Sequence, residues 1–246
     1  MVQEAHERAG WVSPNYSLSR SVALNPRTME ENRCIAFHSD APEVEQYRVL
    51  RTRIQQQVGN QQGATIMVTS ALPGEGKTLT AINLALTFAR EFKQTALLVD
   101  CDLRQQRVHQ LLGYPGNKGL VDYLLHATPV EELFVWPGVE KLTVISGGRL
   151  LKDGSELLGS PGMRNLVHDM KHRYPDRTVI FDMPPVLVGA DALTFAPLVD
   201  YILVAVKAEE TQSADVQKAL KLLPREKIIG LVLNRHKGRQ KAVNEN

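Results

Sequence analysis

The sequence predicts a doubly wound α/β fold, a mostly parallel sheet of about six to eight strands with helices on both faces. Three observations carry the prediction. Short, β-branched apolar runs recur along the chain; helical stretches long enough to cross over a sheet separate them; and glycine-rich or acidic segments stand where several of the runs end.

Residues 1–40 are polar and punctuated by proline, with one short apolar patch at 21–24, and read as a flexible extension outside the core. From Pro42 the pattern changes. PEVEQYRVLRTRIQQQV has strong helix formers, no glycine before Gly59, and Val44, Tyr47, Leu50 and Ile54 on one helical stripe. An amphipathic helix therefore opens a domain spanning 41–236. Strands follow at 64–69, 96–100, 142–145, 178–181, 201–206 and 228–233, each nearly continuous in apolar residues and so buried on both faces. Helices at 79–92, 163–173 and 213–222 supply right-handed crossovers between parallel neighbours. Residues 237–246 form a polar tail.

Composition narrows the function classes. The chain of 246 residues is 43% apolar and 23% charged, a globular balance that one large domain satisfies. A formal charge of +2 gives no global case for nucleic acid, and none is expected as a partner. Cys34 and Cys101 match neither a metal-ligand nor a disulfide spacing, which fits a reducing compartment. The opening MVQEAHERAGWV is no secretory signal and lacks the glycine that myristoylation needs. The most apolar stretch, 179–206, is broken by Asp182, Asp191, Asp200 and two prolines, so it cannot span a bilayer. The expected location is cytoplasmic, with membrane recruitment only through a partner.

The chemistry starts at MVTSALPGEGKTLTAINLALTFA, which reads as strand, glycine-containing loop and helix, the context of a phosphate-binding loop. Pro73, Gly74, Glu75, Gly76, Lys77, Thr78 and Leu79 form the expected nucleotide cradle. Gly74 and Gly76 let backbone N–H groups turn toward phosphate oxygens, Lys77 reaches the terminal phosphates, and Thr78 offers its hydroxyl to magnesium. Ala71 stands where the usual pattern has its first glycine; the plain alternative is a chance glycine turn at a helix start. In LLVDCDLR, Asp100 and Asp102 end a strand two apart, so their carboxylates share one side. One can hold a magnesium-bound water while the other accepts a proton, whereas alone the pair would read as a solvated strand end. VIFDMPP adds Asp182 after an apolar strand, a third acid for the metal, with Pro184 and Pro185 fixing the chain beyond it. Lys77, Asp100, Asp102 and Asp182 are the candidate catalytic set; Thr78, Asp102 and Asp182 are the candidate magnesium ligands.

SALPGEGKT, LLVDCDLR and VIFDMPP, in this order and spacing, resemble the nucleotide motifs of bacterial tyrosine kinases of the capsule and exopolysaccharide type, which are related to cell-division and partition ATPases. SELLGS and ADALTFAPLVDYILVAV resemble family segments too, and the likeness runs from about Pro42 to Asn234. It implies a magnesium- and ATP-dependent kinase-like ATPase working with a separate membrane-embedded co-polymerase or chain-length protein. Glu45, Arg48 and Arg51 match the family's E-x-x-R-x-x-R self-association element, implying a homo-oligomer; helical spacing alone favours a solvated face with internal Glu–Arg pairing. Related ATPases read the base with an asparagine where LVLNRH places Asn234, a residue equally at home in a turn. Arg104 fits a phosphate or assembly role as well as it fits a surface ion pair.

Two departures matter. The family's C-terminal tyrosine cluster is missing, since no tyrosine follows Tyr201, and the remaining candidates Tyr16, Tyr47, Tyr114 and Tyr123 each read as structural. The extra early lysine of partition ATPases is replaced by Leu72, which disfavours a positioning ATPase. A non-catalytic scaffold that switches partners on ATP is the third reading.

Overall fold

In a computed structural model the described residues are 19–37, 42–59, 61, 63–116 and 118–236. Eight strands run β1 (Arg20–Ser21), β2 (Ala64–Ser70), β3 (Thr95–Asp100), β4 (Val135–Trp136), β5 (Leu142–Ile145), β6 (Arg177–Asp182), β7 (Tyr201–Lys207) and β8 (Ile228–Asn234). Among them lie helices α1 (Pro26–Glu31), α2 (Val44–Val58), α3 (Lys77–Ala89), α4 (Val108–Leu112), α5 (Leu120–His126), α6 (Ser155–Leu158), α7 (Pro161–His172), α8 (Asp191–Phe195) and α9 (Ser213–Leu222). The six expected strands form within one or two residues of their predicted limits.

The sheet order is β1-β4-β5-β3-β6-β2-β7-β8, and every pair is parallel except β4 with β5. From β2 the chain crosses beneath α3 to β3 on one side, and later passes from β6 over β2 to β7 on the other. That reversal lies at the carboxyl ends of β2, β3 and β6, the edge at which ligands bind in open α/β sheets. The central strands are buried on both faces, as their unbroken apolar runs require. One core layer holds Met67, Leu97, Phe181 and Val204 under α7, α8 and α9; the other holds Ile66, Leu98, Ile180 and Leu203 under α2 and α3.

The extension reading is corrected for residues 19–37. Asn25 accepts from the backbone N–H of Arg27 and caps α1, with Pro26 at its first position, and Met29, Cys34 and Ala36 are fully buried. Asn83 in α3 fixes the segment, accepting from Ala36 N at 2.9 Å and donating to Arg33 O at 3.1 Å. Its few apolar residues are spaced for docking rather than for a core of their own, and averaged polarity hides them. The expectations for 1–18, 38–41 and the 237–246 tail lie outside the described residues. Among the described residues no helix is long and apolar enough to cross a membrane.

Candidate nucleotide site

The turn between β2 and α3 carries two glycines in the left-handed region, Gly74 at φ 82° and Gly76 at φ 90°. Gly76 is required twice over: it starts α3 in that conformation, and a Cβ there would stand 1.9 Å from Asn234 Nδ2. Ala71 is fully buried and is not among the residues with positive φ, so the position needs no glycine and the departure from the usual pattern is harmless. Pro73 and Gly74 are exposed at the tip of the turn, whereas Lys77 and Thr78 are buried at the helix start and Leu79 packs on the core. The helix start and its free N–H groups make this end of α3 attractive to anions.

Three predicted charges converge on that start. Lys77 Nζ lies 2.7 Å from Asp102 Oδ2, 3.5 Å from Asp182 Oδ1 and 3.3 Å from the Thr78 hydroxyl. Burial pulls the Lys77 pKa down, but attraction to Asp182 and Asp102 outweighs it and the ammonium is held above its ordinary value. Asp182, at the end of β6, is fully buried and neither carboxylate oxygen has a hydrogen-bond partner. Burial raises its pKa, with Lys77 opposing. Unpartnered buried oxygens are costly and therefore informative.

Asp100 plays a different part from the one its spacing suggests. It pairs in register with Asp182 across β3 and β6 and is fully buried. Its Oδ1 accepts from Asp102 N at 3.1 Å and its Oδ2 from Val108 N at 3.0 Å, so both oxygens brace the segment that carries Asp102. Burial, then repulsion from Asp182, pushes its pKa well up. Asp102 sits just past the strand, its Oδ1 accepting from Gln105 N at 3.2 Å and its Oδ2 facing Lys77. Thr69 donates to Pro184 O at 2.7 Å, and Val186 N donates to Ser70 O at 2.8 Å, locking the chain beyond Asp182 against β2.

The donor set suits magnesium. A hard cation of that size is ordinarily held by one or two carboxylates, a hydroxyl, water and the ligand's own phosphates. Asp182 with its unpartnered oxygens, Asp102 and Thr78 supply this without a dedicated cage, and no cluster of three or more His, Cys, Asp or Glu ligands occurs among the described residues.

The other predicted residues divide. Asn234 reaches the phosphate turn: its Nδ2 donates to Glu75 O at 3.1 Å while its Oδ1 accepts from Arg235 N at 2.9 Å. Glu45 and Arg48 form an exposed pair at 3.0 Å on α2, separate from the nucleotide site. Arg51 turns inward, donating to Thr87 O at 2.9 Å and pairing with Glu91 at 3.4 Å. Arg104 pairs with buried Asp191 at 3.0 Å. Sequence reasoning missed Thr211, whose hydroxyl donates to Glu75 from the loop after β7. Its only signal is the adjacency of β7 to β2, which strand order reveals and sequence order conceals.

A glycine turn feeding a helix that carries Lys77 and Thr78, faced by aspartates from two neighbouring strand ends, defines a P-loop nucleotide-binding protein. A model of the CobQ/CobB/MinD/ParA nucleotide binding domain matches residues 66–246. The chain is 34% identical over 192 residues to the tyrosine-protein kinase YwqD of Bacillus subtilis, covering 77% of this chain and 80% of the relative. It belongs to this nucleotide-binding family, in the branch of bacterial tyrosine-protein-kinase-like ATPases. The crystal structure of the chimerical protein CapA2B2 superposes with a TM-score of 0.75 at 25% identity, covering 96% of this chain and 99% of that one. The septum site-determining protein MinD from Pyrococcus horikoshii OT3, complexed with Mg-ADP, shares the fold with a TM-score of 0.57 at 22% identity over 71% of each chain.

Proposed function

We propose that the chain binds ATP with magnesium and transfers the terminal phosphoryl group to a tyrosine hydroxyl or to water. The work is done in exopolysaccharide or capsule biosynthesis beside a separate membrane-embedded co-polymerase protein. The single observation that carries the chemistry is Lys77 Nζ lying 2.7 Å from Asp102 and 3.5 Å from a fully buried Asp182. Three buried charges gathered without full pairing are expensive for a fold, and a triphosphate with its cation completes their electrostatics.

Lys77 carries the positive charge that neutralises the terminal phosphates, and the N–H groups of the turn and helix start orient them. Asp182, Asp102 and Thr78 would hold a magnesium ion, which when bound would supply charge neutralisation to the phosphates. Asp102 is the acid nearest the ammonium, while Asp100 acts behind it by bracing its backbone. The exopolysaccharide setting rests on the resemblance of SALPGEGKT, LLVDCDLR and VIFDMPP to the motifs of capsule and exopolysaccharide kinases, and recruitment to the inner face of the cell membrane rests on the partner. Self-association through α2 draws on the exposed Glu45–Arg48 pair, with Arg51 supporting the helix from within.

The test is incubation with γ-labelled ATP and magnesium, with and without the cytoplasmic segment of a candidate membrane partner, following free phosphate and protein-bound label. Label on tyrosine that disappears in Lys77→Met supports the kinase reading. Free phosphate alone would leave an ATPase switch, and neither product under any condition would sink the enzymatic reading in favour of a binding scaffold.

A further inference from the structure

Glu75 brings a carboxylate side chain into the phosphate turn. A carboxylate there stands in the positive field that the turn and helix start offer to anions, and like charge works against phosphate binding. Glu75 is nevertheless only 2% exposed, and its carboxylate is held by neutral donors from two segments. Its Oε2 accepts from Leu72 N at 2.6 Å and closes the turn on itself. Its Oε1 accepts from the Thr211 hydroxyl, in the segment leaving β7, and, at 3.4 Å, from the N–H of Lys207 at the end of that strand. Its main-chain carbonyl takes the Asn234 amide at the end of β8. One residue thus ties the phosphate turn to two strand ends far away in sequence.

We propose that Glu75 and Thr211 form a clasp that keeps the phosphate turn in its binding shape, making both of them positioning residues for the nucleotide rather than contacts to it. The clasp rests on the nucleotide-site reading above. Hydrogen bonds to an ionised acceptor are about twice as strong as neutral ones, so a carboxylate anchors the turn better than an amide. Its charge is absorbed by Leu72 N, Lys207 N and the Thr211 hydroxyl, which limits the repulsion a phosphate meets. An alanine here would leave those donors without their acceptor and the turn free to relax.

The experiment titrates a fluorescent ADP analogue with magnesium into the full chain and into Thr211→Val, Thr211→Ser, Glu75→Gln and Lys77→Met, and records the melting temperature of each nucleotide-free protein. Thr211→Val removes the hydroxyl at constant shape; it is expected to weaken binding about tenfold and, because a buried carboxylate loses a donor, to lower the melting temperature of the nucleotide-free protein by a few degrees. Thr211→Ser restores the hydroxyl and the affinity. Glu75→Gln keeps one acceptor for Leu72 N and can still reach the hydroxyl through its amide, so its loss is smaller. Wild-type affinity in Thr211→Val or an equal loss in Thr211→Ser, each measured well below the melting temperature of the variant, would overturn the clasp. Lys77→Met separates the two readings: if it too binds like wild type, the nucleotide-site assignment fails and the clasp with it. If Lys77→Met alone loses the nucleotide, only the clasp fails.

Discussion

At the carboxyl ends of β3 and β6, Asp102 and Asp182 close on Lys77 beneath the surface, with side-chain exposures of 4%, 0% and 10%. On α2, Glu45 and Arg48 also make a 3.0 Å ion pair, but at exposures of 60% and 42%. The two constellations look alike as charges in a sequence and differ completely as physics. A buried group forfeits its hydration and must find compensation, so an incomplete buried set points to something that completes it. An exposed pair is worth about 0–1 kcal/mol, and its value to the protein has to come from a neighbour rather than from the fold.

The sharpest break of this contrast is Asp182→Asn. Turnover is expected to fall about 10²–10³-fold as the magnesium ligand is lost, measured as phosphate release at saturating ATP. The same change removes a fully buried charge whose pKa is raised by burial, so the nucleotide-free protein should melt about 2–4 °C higher near neutral pH. With a pKa above its unfolded value, the native carboxyl keeps its proton longer than the unfolded one, and its contribution to stability declines as pH rises through that interval. The melting advantage of Asp182→Asn should therefore shrink toward acid, and an advantage that grew toward acid would contradict the burial argument.

Asp100→Asn comes next. Its amide can accept from only one of Asp102 N and Val108 N, which loosens the segment holding Asp102. Magnesium-ADP affinity should stay within about twofold while turnover drops about tenfold; equal turnover would remove Asp100 from the mechanism. On the other side of the comparison, Arg51→Ala should cost about 1–2 kcal/mol in urea unfolding because it strips the Thr87 carbonyl and Glu91 of their half-buried partner. Arg48→Ala should cost less than about 0.5 kcal/mol and register instead in the sedimentation coefficient. A larger stability loss for Arg48→Ala than for Arg51→Ala would erase the distinction between the two regions.

Much of the site was legible because strong local patterns encode it. The central strands announce themselves by apolar continuity, the glycine turn by its place between strand and helix, and Asp182 by ending a buried strand. What sequence could not reach depends on which strands become neighbours. The Glu75–Thr211 contact spans 136 positions and exists because β7 lies beside β2, a pairing no local pattern specifies. The inward turn of Arg51 depends on α3 lying against α2, and the docking of 19–37 depends on Asn83 in α3 meeting that segment. Asp100 and Asp102 stand two apart at one strand end, but spacing cannot tell a carboxylate that faces Lys77 from one consumed by backbone donors.

The central claim is that Lys77 and its aspartates form a nucleotide site at the carboxyl edge of the sheet. Calorimetric titration of ATP with magnesium into the wild-type chain and Lys77→Met tests it most directly. The account predicts saturable binding to the wild type and none to Lys77→Met, because the triphosphate loses its principal positive partner. Equal affinity in the two proteins would contradict the assignment of the site.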